Sequence, residues 1–587
     1  MKRYLALLLA VLTAFSLLSG CTAGKARPKP EPTVYTSGDK PGRLNYQGDR
    51  EINMVPFSQM EYHRPDGKAM LAKMDDLIAA LKTRTDSDDD VEATLDTLDE
   101  LYDERYAFYT MHTLATIRSD LDQTDKQWLE EVRYCDKLSI DLQQKQEELF
   151  YACAASAQCD DIDAYFGEGT LDGYEGEYVY PEALVKLLQR ESELVSQYYE
   201  ANADLSVTYG GQEYDARGFL DAAYDGVIDL EPADAVDYYY NMANDTLAPY
   251  YVELVKVRHQ IASEFGYDSY MAYAYDDNGR DYTPAEVKKY TKAIVDELVP
   301  LYKRAADSGV YAEANDTASM KPDKSLALVE AAANAMGGYQ KEAMQFMRAY
   351  ELIDTERSSK KYPGSYELYI ENYESPYVFV NSTGYVEDVL TIAHEFGHFT
   401  DDFENYGIGK STDVNEVASQ GMEYLTLFYL EDGKVADALT DYKLMDALNL
   451  YVEQGSYNAF EERVYKLGDD EITVERINEI ALDVAEEYGL TGGWNDNYYA
   501  KSWVDITHFF EQPFYVISYC VSDSAAFQLY EMEAETAGSG VDTLNDWIDL
   551  ATEEGFFDLA ADCGMTDPIS PETIRGIADT IKAHFGM

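Results

Sequence analysis

From about Glu51 to the last residue one pattern recurs, with apolar residues at spacings of three and four and acidic residues filling the positions between them. That period lines the apolar side chains along one face of an α-helix and turns the charged ones to water. In the stretch opening at Pro181, Leu184, Leu187, Leu188, Leu194, Val195 and Tyr198 form such a stripe, interrupted only by Glu191. Thr283-Pro284-Ala285-Glu286 reads as a helix start, with threonine as cap, proline at the first helical position and glutamate completing a capping box. A further helix is expected from Thr473 to Tyr488, stopped by Gly489. Strand signals are few. The best is Ser375-Pro376-Tyr377-Val378-Phe379-Val380-Asn381, short and β-prone, with a proline near its start of the kind an edge strand tolerates. The expected fold class is therefore all-α, predominantly helical, with a small β element. The acidic run Asp86 to Asp90 reads as a solvated loop between helices; it lacks the alternating oxygen ligands and glycine of a calcium-binding loop.

Asp and Glu number 111 against 46 Lys and Arg, a formal net charge of −65. An excess of that size repels a phosphate backbone, so nucleic acid is excluded as a partner. The 52 tyrosines suit the margins of a large helical core, where one end of the ring is buried and the other wet. At the amino end, Lys2 and Arg3 precede an apolar run from Tyr4 to Leu18, too short for a confident membrane span, and residues 1–20 read as a signal peptide. The run closes on Leu18-Ser19-Gly20-Cys21, which resembles a bacterial lipobox and makes Cys21 the lipidated first residue of the exported chain. Residues 21–50, proline- and glycine-bearing and without apolar period, read as a flexible linker. The expected location is extracytoplasmic, on the outer face of a bacterial cell membrane, with Cys21 as the only membrane contact. Five cysteines follow it, Cys135, Cys153, Cys159, Cys520 and Cys563. None makes a close CxxC pair, and a Cys153–Cys159 bridge is left open.

Seven histidines occur in the chain, and two of them fall in His394-Glu395-Phe396-Gly397-His398. The HExxH spacing puts both imidazoles on one helix face, where they can grip one metal ion, with Glu395 beside them to act on a water. The local sequence suits a helix, with Thr383 expected to cap it, Glu387 and Asp388 in its first turn, and Val386, Val389, Leu390 and Ala393 on its apolar side. A catalytic zinc takes three protein ligands and keeps one position open. Downstream, spacing offers Glu416 as the third ligand, with Glu423 as the rival or as a hydrogen-bond partner behind a ligating histidine. Asp413 and Glu416, three apart, also fit a capping box, in which case Glu416 would only close a helix start.

HEFGH preceded by Asp388-Val389-Leu390-Thr391 and followed by Glu416-Val417-Ala418-Ser419-Gln420 and Glu423 resembles the thimet oligopeptidase family of zinc metallopeptidases, most closely its oligoendopeptidase F branch. The resemblance implies that Glu416 is the third ligand of one Zn2+ per chain. A second block, Trp503 to Ala526, with His508, Phe514, Tyr515, Tyr519 and Ser524-Ala525-Ala526, resembles the family's His-Phe-Tyr segment. There a histidine and tyrosines donate hydrogen bonds to the scissile carbonyl as it becomes an oxyanion. On one continuous helix His508, Tyr515 and Tyr519 would share a face, although Pro513 interrupts it. Weaker likeness runs through Thr246 to Arg258, Gly266-Tyr267 and Tyr282-Thr283-Pro284. The resemblance implies a two-lobed helical clamshell with a deep channel and the β element beside the zinc helix. The expected division is an N-terminal helical region over 51–205 and a zinc metallopeptidase domain over 206–587.

The function expected is a surface-tethered oligoendopeptidase that hydrolyses internal bonds of short peptides, with Glu395 as general base and His508, Tyr515 and Tyr519 steadying the oxyanion. Tyr377, Val378, Phe379 and Val380 are expected to bind substrate by adding it as a strand to their edge. Two alternatives stand beside this: a dipeptidyl carboxypeptidase of a related HExGH family, and a catalytically inactive peptide-binding lipoprotein that feeds a transporter. The sequence leaves the oligomeric state open.

Overall fold

Helices begin where the sequence supplies caps in the computed structural model, which describes residues 55–587 apart from 168, 173, 175–181, 316, 492–494 and 553. The expected signal peptide, Cys21, the linker and Pro181 lie outside the described residues. Asp66 accepts from the Ala69 amide to start α1 (Gly67–Leu81), and Ser87 accepts from the Asp90 amide to start α2 (Asp88–Leu121). The acidic run is thus no loop. Asp88, Asp89 and Asp90 form the first turn of α2, where carboxylates complement the positive end of the helix dipole. With α3 (Lys126–Ala154) and α4 (Cys159–Phe166) these helices enclose small cores of their own, one built on Leu77, Leu98, Phe150 and Ile162.

The next helix, α5 (Glu182–Ala203), joins a different and much larger core. Leu184, Leu188, Leu194, Val195 and Tyr198 are all buried there, Tyr198 stacking on Phe510 at 3.7 Å between ring centroids. Glu191, the break in the stripe, is 1% exposed and meets Arg258 of α6 (Pro232–Glu264) at 2.6 Å, so the interruption is a buried ion pair. The N-terminal cores reach Leu171, and α5 packs with the body that follows; the division lies before α5 rather than at 205/206. The capping box at Thr283 and the Thr473 cap form as expected.

Of the described residues, 71% are helical. The strands among them are a hairpin of β1 (Ser206–Tyr209) and β2 (Gln212–Asp215), and a three-stranded sheet in the order β3 (Ile353–Asp354), β5 (Ser375–Val380), β4 (Ser365–Ile370). Here the expectation for 377–380 fails. β5 is the central strand, antiparallel to β4 along its length and parallel to β3 at Val378 and Phe379. Pro376 is tolerated because the β3 pairing starts two residues beyond it, so no amide is needed there. Tyr377, Val378, Phe379 and Val380 are 2%, 0%, 0% and 1% exposed, and they serve as core rather than as a substrate edge.

Beyond the sheet come α7 (Asp388–Asn405), α8 (Thr412–Phe428), α9 (Gly433–Val464), the short α10 (Thr507–Glu511) and α11 (Ile517–Glu535). Helices α7 and α8 lie against each other at Gly397, where an added Cβ would sit 2.4 Å from the Ala418 carbonyl oxygen. Among the described residues no disulfide joins Cys135, Cys153, Cys159, Cys520 and Cys563. Among the described residues no helix is long and apolar enough to cross a membrane.

Candidate active site

Asp388 opens α7 by reaching backward: its carboxylate accepts the Thr383 amide, the Thr383 hydroxyl and the Gly384 amide, each at 2.8 Å. The expected Thr383 cap is replaced by this clasp. One face of the helix then carries His394 and His398, with ring centroids 5.0 Å apart and planes at 81°. On α8 the N-cap is Ser411, so Asp413 lies inside the helix and Glu416 closes no capping box. Its Oε2 lies 3.5 Å from Nε2 of His394 and 3.7 Å from Nε2 of His398, and the Ser419 hydroxyl donates to it at 2.9 Å. One donor atom from each of the three residues lies within 4.8 Å of the others.

These distances decide what the group can hold. Tetrahedral zinc with bonds of about 2.0–2.1 Å separates its ligand atoms by roughly 3.3 Å. The observed 3.5 and 3.7 Å approach that edge length, and two imidazoles plus one carboxylate make a catalytic-type donor set. The donors present therefore fit Zn2+. Glu423 is not a rival ligand: its Oε1 accepts Nδ1–H of His394 at 2.9 Å, which turns Nε2 toward the shared point, and its Oε2 meets Lys443 of α9 at 2.8 Å.

Burial opposes charge on His394, but the Glu423 hydrogen bond and the Glu416 and Glu395 carboxylates outweigh it and raise its pKa to about 9 in the metal-free chain. His398 goes the other way, to about 4, because burial and the neighbouring His394 charge disfavour its imidazolium. A neutral ring is the ligating form. Glu395, 6% exposed, is pushed by burial to about 7, so this carboxyl can take up and return a proton near neutrality.

Across from this group, α10 and α11 do not form one helix; they break at residues 512–516, around Pro513. His508, Tyr515 and Tyr519 nevertheless converge, with ring centroids 5.3 Å (His508–Tyr515), 6.2 Å (His508–Tyr519) and 5.4 Å (Tyr515–Tyr519) apart. Both phenols are raised by burial and by the nearby Glu416 charge, which keeps them as neutral donors and places them on the Glu416 side. Burial lowers His508, leaving a neutral imidazole with one N–H to offer. Gln420 of α8 donates to the Tyr519 carbonyl at 3.2 Å, tying the two sides together.

Four polar residues around this site, Lys443, Arg258, Arg280 and Glu461, carry no motif. Only the unexplained Glu191 in an apolar stripe pointed to a buried cation. Lys443 is 2% exposed under the Tyr424 ring, with Nζ 4.7 Å from its centroid.

Residues 57–177 match the peptidase M3 N-terminal domain, and residues 339–540 match peptidase family M3. The chain belongs to peptidase family M3. Oligopeptidase PepF of Bacillus subtilis strain 168 is 27% identical over 213 residues, which cover 34% of this chain and 32% of that protein, about a third of the relative's length. Two solved structures share the fold over almost their whole length. PZ peptidase A with an inhibitor superposes with a TM-score of 0.71 at 20% identity, covering 90% of this chain and 99% of that one. Oligoendopeptidase F from Enterococcus faecium superposes with a TM-score of 0.57 at 13% identity, covering 89% and 96%. The N-terminal match ends at residue 177, close to the end of the separate N-terminal cores at Leu171.

Proposed function

We propose that this M3-family chain is a zinc-dependent oligoendopeptidase that hydrolyses internal bonds of short peptides. The observation that carries the reading is the convergence of His394, His398 and Glu416, with Glu395 buried beside them and His508, Tyr515 and Tyr519 opposite. Zn2+ held by the three ligands supplies Lewis-acid chemistry, lowering the pKa of a water toward neutrality and polarising a carbonyl. Glu395 takes the proton of the attacking water and returns it to the departing amine, a task suited to a carboxyl near 7. His508 and the tyrosines donate to the carbonyl oxygen as it gains charge. Glu423 fixes the tautomer and orientation of His394, and Lys443 holds Glu423 in turn.

The peptide is held as an added strand on β4. Among the described residues β4 has a strand partner on one side only, and burial together with the nearby Asp402 and Glu395 charges raises its Glu367, which supports a peptide bound there passing near Glu395. Short peptides are favoured because PepF, 27% identical over 213 residues, is an oligopeptidase by name. The lipobox at Leu18-Ser19-Gly20-Cys21 supports export and tethering by lipid on Cys21.

Incubation of residues 22–587 with a mixed peptide library, with and without chelator, followed by mass spectrometry of the new ends, tests the activity. Internal cleavage lost on chelation and restored by zinc is expected; release of carboxyl-terminal dipeptides only, or no cleavage at all, overturns it. For the tether, Cys21→Ser in the full chain is expected to move the protein from the membrane to the soluble fraction.

A further inference from the structure

His508 lies on the short α10, and Tyr515 in the break at residues 512–516 that joins α10 to α11. The backbone of both is gripped by buried ionisable side chains from elsewhere in the chain. Arg258, 0% exposed, donates through Nη1 to the Phe509 carbonyl at 3.0 Å and through Nη2 to the Phe510 carbonyl. Glu461 of α9, also 0% exposed, accepts the Phe514 amide on its two oxygens at 3.0 and 2.9 Å. Arg280 donates through Nη2 to the Phe514 carbonyl at 2.5 Å and to the Ser518 hydroxyl at 3.0 Å.

Phe514 is the residue on which these grips meet. Its φ is 65°, in the left-handed region that a bulky side chain rarely occupies, so the surroundings must impose it. The ring cannot swing away, being 0% exposed and packed on Tyr465 with centroids 5.3 Å apart. Both hydrogen-bonding groups of the strained residue are thus held, the amide by Glu461 and the carbonyl by Arg280. Tyr515 follows immediately.

Arg280 is a costly way to fill that space. Its Nε and Nη1 are buried with no hydrogen-bond partner among the described residues, whereas an apolar side chain would pack there without that desolvation. Its charge also acts on Asp413, in the first turn of α8 one turn before Glu416.

We propose that Arg280, acting with Glu461, is a positioning residue that fixes Phe514 in its left-handed conformation and thereby aims Tyr515 at the carbonyl of the bound peptide. The inference rests on the oligoendopeptidase reading. Its test is a double-mutant cycle of Arg280→Met and Tyr515→Phe, with kcat and KM on an internally quenched peptide, bound zinc and Tm measured for each form. Arg280→Met is expected to lower kcat by roughly ten- to a hundredfold with KM within about threefold and zinc content unchanged. In the Tyr515→Phe background the same change is expected to cost less than about threefold more, because the aim of an absent donor is immaterial. Arg280→Lys, which keeps the charge but reaches one acceptor, is expected to fall between and decides the cycle if Arg280→Met does not fold. Losses that multiply, an unchanged kcat, or loss of zinc overturns the inference while leaving the peptidase reading intact. A wild-type chain that cleaves no peptide removes both.

Discussion

The Ala418 carbonyl oxygen faces Gly397 so closely that a Cβ there would lie 2.4 Å from it, and 2.5 Å from Cα of Ser419. Both neighbours are backbone of α8, which carries Glu416, while Gly397 lies between the two histidines of α7. The third ligand reaches the pair only because this position has no side chain. Gly397→Ala is expected to push the helices apart, lower zinc affinity by roughly ten- to a hundredfold and destabilise by about 1–3 kcal/mol. Competitive chelator titration with thermal melts checks it, and wild-type affinity in the variant refutes the spacing argument.

Roles within the motif separate on metal content. Glu395→Gln is expected to retain zinc and lose activity by about 10²–10⁴-fold, the range of general acid–base catalysis. His398→Ala and Glu416→Ala are expected to lose the metal itself. Elemental analysis of the three variants decides, and equal zinc loss in Glu395→Gln would show the assignment to be wrong.

The helical class and the HExxH helix with its two histidines were legible because they rest on short-range spacing that a helix converts directly into a shared face. Spacing did not choose the glutamate: Glu416 and Glu423 both lie on α8, which of them meets the histidines depends on how α8 packs on α7 at Gly397, and the apparent capping box at Asp413 vanished because the helix starts earlier, behind Ser411. β5 read as an edge strand because Pro376 permits one, but strand order is a long-range property that a six-residue pattern does not carry. The Arg258 and Arg280 grips join residues 234 to 252 positions apart in sequence and the Glu461 grip residues 53 apart, and single polar residues in helical stretches give no sign of such partners.

On the oxyanion side, His508→Ala and Tyr515→Phe are each expected to lower kcat by about a hundredfold with little change in KM, as donors acting on the transition state do. Steady-state kinetics on one short peptide suffices. If both variants keep wild-type kcat, the ring cluster is core packing alone.

Glu147 of α3 gives a stability prediction independent of catalysis. It is 6% exposed, its Oε2 has no hydrogen-bond partner among the described residues, and burial raises its pKa to about 7. A carboxyl raised on folding is accommodated as the neutral acid, so its contribution is intact below the unfolded value near 4.5 and is lost as pH rises toward 7. Glu147→Gln is expected to remove that loss, making the variant more resistant to urea than wild type above pH 7 and nearly equal to it at pH 4.5. Parallel urea midpoints across the range would refute it.

Strand capture by β4 makes the most specific demand on substrate. Because β5 is paired on both sides and the other edge strand, β3, is two residues long, β4 is the strand of this sheet proposed to receive a peptide near Glu395, through main-chain amides and carbonyls. In an added strand only alternate residues point their amide at the host, so methylating single backbone nitrogens of a good substrate should matter at every second position. At those positions N-methylation is expected to raise KM by roughly two- to tenfold per lost hydrogen bond, since each contributes about 0.5–1.5 kcal/mol, while the positions between should tolerate it. Side-chain replacement to alanine across the same peptide should have smaller effects than methylation. A methylation scan without alternation, or one outweighed throughout by side-chain identity, would mean that the peptide is held by pockets rather than by the β4 edge.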